Sequence, residues 1–67
     1  MSKQLEIGKD YGSVFGLDAK TKGQHAYYLG GIKWRMEQPG KQMECESQVT
    51  TDNAVKYINQ PSYKVGV

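Results

Sequence analysis

The sequence predicts a small α+β fold: an antiparallel β-sheet, made of a three-stranded meander plus one or two terminal strands, with one short C-terminal helix packed on it. Three observations support this prediction. Apolar and charged residues alternate on both sides of Pro39-Gly40, a second turn signal lies at Gly30-Gly31, and a short helical pattern ends before Pro61. At 67 residues, the chain is expected to form a single small domain, 1–67.

The first 23 residues are predicted to supply one strand, or two short ones, that pair with the meander or with the tail. Leu5 and Ile7 alternate with polar residues, as in a half-buried strand. The glycines at positions 8, 12 and 16 invite comparison with phosphate-binding loops. However, Asp10 follows Gly8-Lys9 where such a loop needs Ser or Thr, and no helical pattern comes next. Glycines at turns and bulges are expected instead.

The first two strands of the meander are predicted over residues 24–29 and 32–37. The two glycines between them suit a two-residue hairpin turn, because glycine accepts positive φ angles. In this register, the positions of facing residues sum to 61. Tyr27 then faces Trp34 on the apolar side, and Tyr28 lies on the outer side. A bulge at the two glycines within one long strand preserves the same faces and is the alternative.

The third strand is predicted over residues 42–49, after a type II turn at Pro39-Gly40. A slightly longer loop is the alternative, because type II turns splay hairpin strands. With these two residues as the loop, facing positions sum to 79, and one register yields an apolar face and a charge-complementary face together. The expected pairs are Trp34 with Cys45, Met36 with Met43, Arg35 with Glu44, and Lys33 with Glu46.

A two-turn helix is predicted next, and a final edge strand after it. Any of three residues can cap the helix N-terminus: Thr50, Thr51 or Asp52. Ala54, Val55 and Ile58 form a short apolar stripe, and Pro61 ends the helix near residue 59 or 60. The last residues, SYKVGV, alternate again. The predicted core consists of Leu5, Ile7, Val14, Phe15, Leu29, Ile32, Trp34, Met36, Met43, Cys45, Val49, Val55 and Ile58.

Composition and length exclude several classes of function. Cys45 is the only cysteine, so an internal disulfide and a thiol cluster for zinc are excluded, which favours a reducing, cytoplasmic location. The first ten residues contain no apolar signal-peptide segment, and no apolar run approaches the ~20 residues of a membrane span, so no membrane partner is expected. The formal net charge of +2 permits nucleic acid as a partner without requiring it.

Catalysis is not expected of this chain. In the predicted register, His25 and Cys45 lie on the two outer strands, about 9–10 Å apart, with Trp34 between them. That distance is too long for a thiol and its base. Glu44 and Glu46 each face a basic residue, which keeps carboxylates ionised rather than raising one pKa for acid catalysis. We therefore predict no enzyme activity and no catalytic, cofactor-binding or metal-ligating residue.

One candidate surface is aromatic and basic and suits nucleic acid, because exposed rings stack on bases and cations neutralise phosphates. Its residues are Tyr27, Tyr28, Lys33, Trp34 and Arg35, with Lys20 and Lys22 in the preceding turn. Three strands followed by a helix, over residues 24–60, are similar in outline to the arm-binding domains of tyrosine recombinases and the plant AP2 domain. This topological resemblance implies that strands read the DNA major groove. Glu37, Glu44 and Glu46 depart from that pattern and count against DNA on this face.

The second candidate is a protein-binding surface. The five tyrosines, at positions 11, 27, 28, 57 and 63, exceed what a small core buries, and tyrosine is enriched at interfaces. A mixed-charge face suits electrostatic complementarity, and an edge strand can accept another strand. The predicted binding residues are Tyr28, Lys33, Arg35, Glu44, Glu46, Tyr57 and Tyr63.

The predicted function is therefore that of a small non-catalytic binding protein. We expect a stoichiometric regulator, inhibitor or adaptor that binds another protein, of the kind that phages and mobile elements often encode. A small DNA- or RNA-binding domain that uses the sheet face is the alternative, and a structural homodimer is the second alternative. A chain of this length buries only about 60% of its unfolded surface, so self-association or a partner would add to a thin stability margin.

Overall fold

The structure is a computed structural model and describes residues 3–60. A 3₁₀ helix is followed by a one-turn helix, α1, then by three strands and a longer helix, α2. Their bounds are Gly12–Phe15 for the 3₁₀ helix, Ala19–Lys22 for α1, His25–Gly30 for β1, Lys33–Gln38 for β2, Lys41–Glu46 for β3 and Gln48–Ile58 for α2. The strands form an antiparallel sheet in the order β1-β2-β3. The predicted α+β class is confirmed; the tail expected to form a further strand lies outside the described residues.

The hairpin of β2 and β3 has the predicted register. Trp34 pairs with Cys45, and Arg35 pairs with Glu44. The pairing of Gln38 with Lys41 shows that the loop consists of the two predicted residues alone. Gly40 has a φ of +74°, a backbone conformation that favours glycine, so the Pro-Gly pair fixes both the turn and the register.

The hairpin of β1 and β2 differs from the prediction by one residue. Tyr28 faces Trp34, and Tyr27 faces Arg35, so the positions of facing residues sum to 62 rather than 61. The cause is at the turn, where Gly30 pairs with Lys33 and the register shifts between Tyr28 and Gly30. Gly30 has a φ of +103° and belongs to a bulge rather than to the tight turn. The placement of Tyr28 on the outer face was therefore wrong.

The segment before β1 lines the sheet without forming a strand among the described residues. The N–H of Gly8 donates to the carbonyl of Tyr28 over 2.7 Å, and the N–H of Tyr11 donates to the carbonyl of Ala26 over 2.8 Å. Between them, Asp10 makes a single β-bridge with Tyr27. The predicted terminal strand is thus reduced to one bridge, after which the chain turns into the 3₁₀ helix. This segment covers the edge of β1, whereas β3 forms the other edge of the sheet.

Helix α2 starts earlier than predicted. Ser47 caps it, and its Oγ accepts the N–H of Thr50 over 3.1 Å, so the cap is none of the three residues proposed from the sequence. Thr51 lies within the helix and is buried, which is possible for a polar side chain because its hydroxyl has two hydrogen-bond partners. It donates to the Ser47 carbonyl over 2.8 Å and accepts the indole N–H of Trp34 over 2.9 Å. The helix ends at Ile58 with Asn59 as its C-cap, just before the predicted end near residue 59 or 60, and its 11 residues make about three turns rather than the predicted two.

The core lies over β1 and β2 and leaves β3 outside it. Trp34 is fully buried and packs with edge-to-face geometry against Tyr11 and Phe15, with ring centroids 6.1 and 5.5 Å away. The buried apolar residues are Tyr11, Ala26, Trp34, Ala54 and Ile58. Leu5, Val14, Phe15 and Met36 pack against them, as predicted.

Four residues predicted to lie in the core are exposed. Ile7 is 73% exposed, Val49 70% and Met43 49%, and Cys45 is also exposed. For Met43 and Cys45, the predicted register was right, but their predicted burial was wrong. The buried residues of α2 pack with those of β2, β1 and the segment before it, and no residue of β3 joins them.

Replacement of Ser47 by Ala tests the helix start. The change removes the side-chain acceptor for Thr50 N–H, so we expect the free energy of unfolding to fall by about 1 kcal/mol. Thermal or urea unfolding followed by circular dichroism measures this. Asp52→Ala is the matched control, since Asp52 was a predicted cap and lies inside the helix. A larger loss in the Asp52 variant than in the Ser47 variant would contradict the observed start.

Candidate functional site

The β2–β3 hairpin is the part of the sheet that offers a surface. All six residues of β3 are exposed, and within residues 3–60 this strand pairs with β2 alone. We call the unpaired side of Lys41–Glu46 the free edge. An edge strand with unpaired backbone groups is an attachment point for another chain, so the free edge and the two faces beside it are the candidate site.

The outer face of the hairpin carries charges of both signs. An Arg35 Nη atom donates to a Glu44 oxygen over 3.0 Å, and these side chains are 39% and 60% exposed. The Nε atom of Arg35 is enclosed and has no hydrogen-bond partner among residues 3–60. Lys33 faces Glu46 in the predicted register, but among the described residues these two side chains do not approach to ion-pair distance. Arg35 and Glu44 therefore form an ion pair, whereas Lys33 and Glu46 do not. We call Lys33 and Glu46 the open charge pair.

A shallow depression lies at the open charge pair. It has a volume of about 410 Å³ and is lined by Leu29, Lys33, Glu44, Cys45 and Glu46. Its lining thus combines one aliphatic residue, one lysine, two glutamates and Cys45. The bulge in β1 places Leu29 there, which the sequence-based register could not show.

The other face of the hairpin carries two apolar side chains of β3. Met43 and Cys45 pair with Met36 and Trp34 of β2, yet both lie outside the buried core. Exposed apolar side chains on an edge strand favour contact with another chain. The two faces of β3 therefore differ in chemistry: Glu44 and Glu46 lie on one, and Met43 and Cys45 lie on the other together with Lys41.

A second cluster, formed by Asp10, His25 and Tyr27, lies next to the sheet at β1. His25 Nδ1 lies 2.9 Å from Asp10 Oδ2, and the His25 and Tyr27 rings stack with centroids 5.4 Å apart. A carboxylate can only accept, so Nδ1 carries the proton. Asp10 Oδ1 also accepts the N–H groups of Gly12, over 2.8 Å, and Ala26, over 3.0 Å.

These contacts set the ionisation of the cluster. Partial burial opposes the charge on Asp10, but the hydrogen bonds from Ala26, His25 and Gly12 outweigh it and hold the pKa of this carboxyl below its ordinary value. Desolvation, followed by the nearby carboxylates of Glu37 and Asp10, raises the pKa of the Tyr27 phenol. The cluster joins the N-terminal segment to β1, which is a structural role.

The predicted binding residues fall in different places. Lys33, Arg35, Glu44 and Glu46 come together on the outer face of the hairpin, as expected from the register. Tyr28 packs at Trp34, with ring centroids 5.1 Å apart, and Tyr57 also packs against the core. Tyr63 lies outside the described residues.

Sequence reasoning also assigned two residues to the wrong face. His25 and Tyr27 lie on the outer face, facing Glu37 and Arg35, whereas the prediction placed them with the apolar residues. Cys45 remains on the Trp34 side, so His25 and Cys45 lie on opposite faces of the sheet. The sequence contained one signal of the correct faces, which is the small residue Ala26 between His25 and Tyr27. Ala26 is completely buried, as expected of a residue on the core face.

No protein-family model, curated protein or solved structure matches this chain. Among the helices of residues 3–60, none combines the length and the apolar character needed to cross a membrane.

Proposed function

We propose that this chain is a non-catalytic binding protein that forms a stoichiometric complex with another protein through its β2–β3 hairpin. The exposure of all six residues of β3 carries this proposal. A domain of this length has little apolar surface to spare, yet two apolar side chains of this strand stay outside the core. A regulator, inhibitor or adaptor acts by this kind of occupancy and needs no chemistry of its own.

The charges of the outer face favour a protein over a nucleic acid. Lys33 and Arg35 lie there with Glu37, Glu44 and Glu46, so acids outnumber bases, and Arg35 is already held by Glu44. Phosphates approach a surface on which cations predominate. In addition, Tyr28 contacts Trp34 rather than lying beside Lys33, and the ring of Tyr27, which does lie on the outer face, is stacked on His25. A mixed-charge face is typical of surfaces that recognise other proteins by charge complementarity.

Affinity purification of the tagged protein from a lysate of its source, with and without nuclease, tests this proposal. We expect one protein to be captured in near-stoichiometric amount in both conditions. Reversal of the acids, in Glu44→Lys and Glu46→Lys, is expected to lower capture by about tenfold or more, because it places cations where the partner meets carboxylates.

Glu6→Lys is the matched control for these variants. Glu6 is also exposed, at 74% of its side chain, and lies in the N-terminal segment away from β3, so its reversal should leave capture unchanged. Capture that disappears with nuclease would replace the proposal by nucleic-acid binding. Recovery of the chain only with its own copies would replace it by a homodimer.

A further inference from the structure

We propose that the free edge of β3 is a strand-addition site for an extended segment of the partner in which basic and apolar residues alternate. This inference rests on the proposed function and adds to it the chemistry of the partner and the geometry of the contact. In strand addition, main-chain hydrogen bonds supply affinity and alternate side chains supply specificity.

The backbone of β3 is available for such pairing. In an antiparallel pair, alternate residues direct their N–H and C=O groups away from the neighbouring strand, so about half of the β3 groups point outwards. At the opposite edge of the sheet, the N–H groups of Gly8 and Tyr11 already donate to β1. Within residues 3–60, β3 is therefore the edge of the sheet that is open to a further strand.

The two faces of β3 favour different kinds of side chain on the added strand. Glu44 and Glu46 project from the outer face, and Met43 and Cys45 project from the other, where both are exposed. Side chains that face each other across two strands lie on the same side of the sheet. An added strand thus meets the carboxylates of Glu44 and Glu46 on one face and the apolar groups of Met43 and Cys45 on the other.

The depression at the open charge pair suits a long basic side chain. Glu46 has no closed ion pair among the described residues, and Leu29 adds an apolar patch beside it. Lys and Arg bury their aliphatic stems against apolar groups while their charged ends reach an acid. A basic residue of the added strand next to Glu46 meets a carboxylate that Lys33 leaves unpaired, and its aliphatic stem lies along the edge of β3.

A second copy of this chain fits the free edge less well. Two β3 strands related by a two-fold axis would pair with like faces together, which brings Glu44 and Glu46 of each copy towards those of the other. Lys41, the only basic residue of β3, lies on the Met43 side and cannot offset them. Like charges on facing strands are destabilising, so this edge disfavours its own copy and favours a basic segment.

Synthetic peptides of about ten residues, the upper range of strand length, test the inference. In one peptide Val alternates with Lys, and in its counterpart Val alternates with Glu. We expect the Val-Lys peptide to bind at least about tenfold more tightly and to shift the amide resonances of Lys41–Glu46 in the isotope-labelled protein. The double variant Glu44→Lys, Glu46→Lys should reverse the preference, whereas Glu6→Lys should keep it.

A third peptide separates strand addition from simple charge attraction. It is the Val-Lys peptide with an N-methyl group at every residue, which removes all main-chain donors and keeps every charge. We expect its binding to be lost. Equal binding by this peptide, no binding by the parent peptide, or amide shifts outside β3 would each overturn strand addition. Capture of a protein partner together with any of these results would leave the proposed function standing, whereas failure of capture would contradict the function itself.

Discussion

Replacement of Trp34 by Ala is expected to remove a large part of the stability of the fold. Trp34 is completely buried, contacts Tyr11 and Phe15 edge to face, and donates to Thr51. Removal of such a side chain costs about 3–5 kcal/mol. At about 0.05–0.15 kcal/mol per residue, a chain of 67 residues has only roughly 3–10 kcal/mol of stability. Urea unfolding followed by circular dichroism measures the loss, because the variant has no other tryptophan to report by fluorescence.

Two further variants separate packing from hydrogen bonding at this position. Trp34→Phe keeps an aromatic ring among its neighbours and leaves the Thr51 hydroxyl without the indole donor, so we expect a smaller loss, of about 1–3 kcal/mol. Val49→Ala, at a residue 70% exposed, should change the free energy of unfolding by less than about 0.5 kcal/mol. Equal urea midpoints for Trp34→Ala and Val49→Ala would show that the core does not form around the indole.

The sequence was sufficient to predict the β2–β3 hairpin because two independent constraints agreed there. A Pro-Gly turn fixes the loop, and only one register gives both apolar and opposite-charge pairs. At Gly30-Gly31 the second constraint was missing, since β1 carries aromatic residues that suit either face. A shift of one residue exchanges the two faces of a strand, and this shift moved Tyr28 inwards and Tyr27 outwards.

The exposure of β3 could not be predicted from alternation alone. An alternating strand shows which side chains share a face, but the cover over that face comes from elements elsewhere in the chain. The cap at Ser47 starts α2 directly after β3, and the helix then packs with residues of β1 and β2. Consequently the placement of the four charged residues on one face was predicted correctly, whereas the exposed apolar side of the same strand became visible only in the structure.

Asp10 is expected to be the most important polar residue for stability. Its carboxylate accepts from Gly12, Ala26 and His25 and so joins the N-terminal segment to β1. Asp10→Ala removes all three bonds, and we expect the free energy of unfolding to fall by about 2–3 kcal/mol at neutral pH. Urea unfolding measures this. Asp18→Ala is the matched control: the Asp18 carboxylate accepts hydrogen bonds from Thr21 in its own turn rather than linking two parts of the chain, so its loss should be smaller.

The pH dependence of unfolding distinguishes the charge of Asp10 from its shape. The pKa of Asp10 is lower in the folded protein than its ordinary value, so ionisation stabilises the fold above the unfolded-state pKa, about 3.9, and this contribution is lost as the pH falls through the folded-state value. Asp10→Asn keeps an oxygen for the two backbone donors but does not titrate. We therefore expect the stability difference between the native protein and Asp10→Asn to be present at pH 7 and to shrink below about pH 4. A difference that stays constant down to pH 2 would show that the carboxylate charge adds nothing to the link between the N-terminal segment and the sheet.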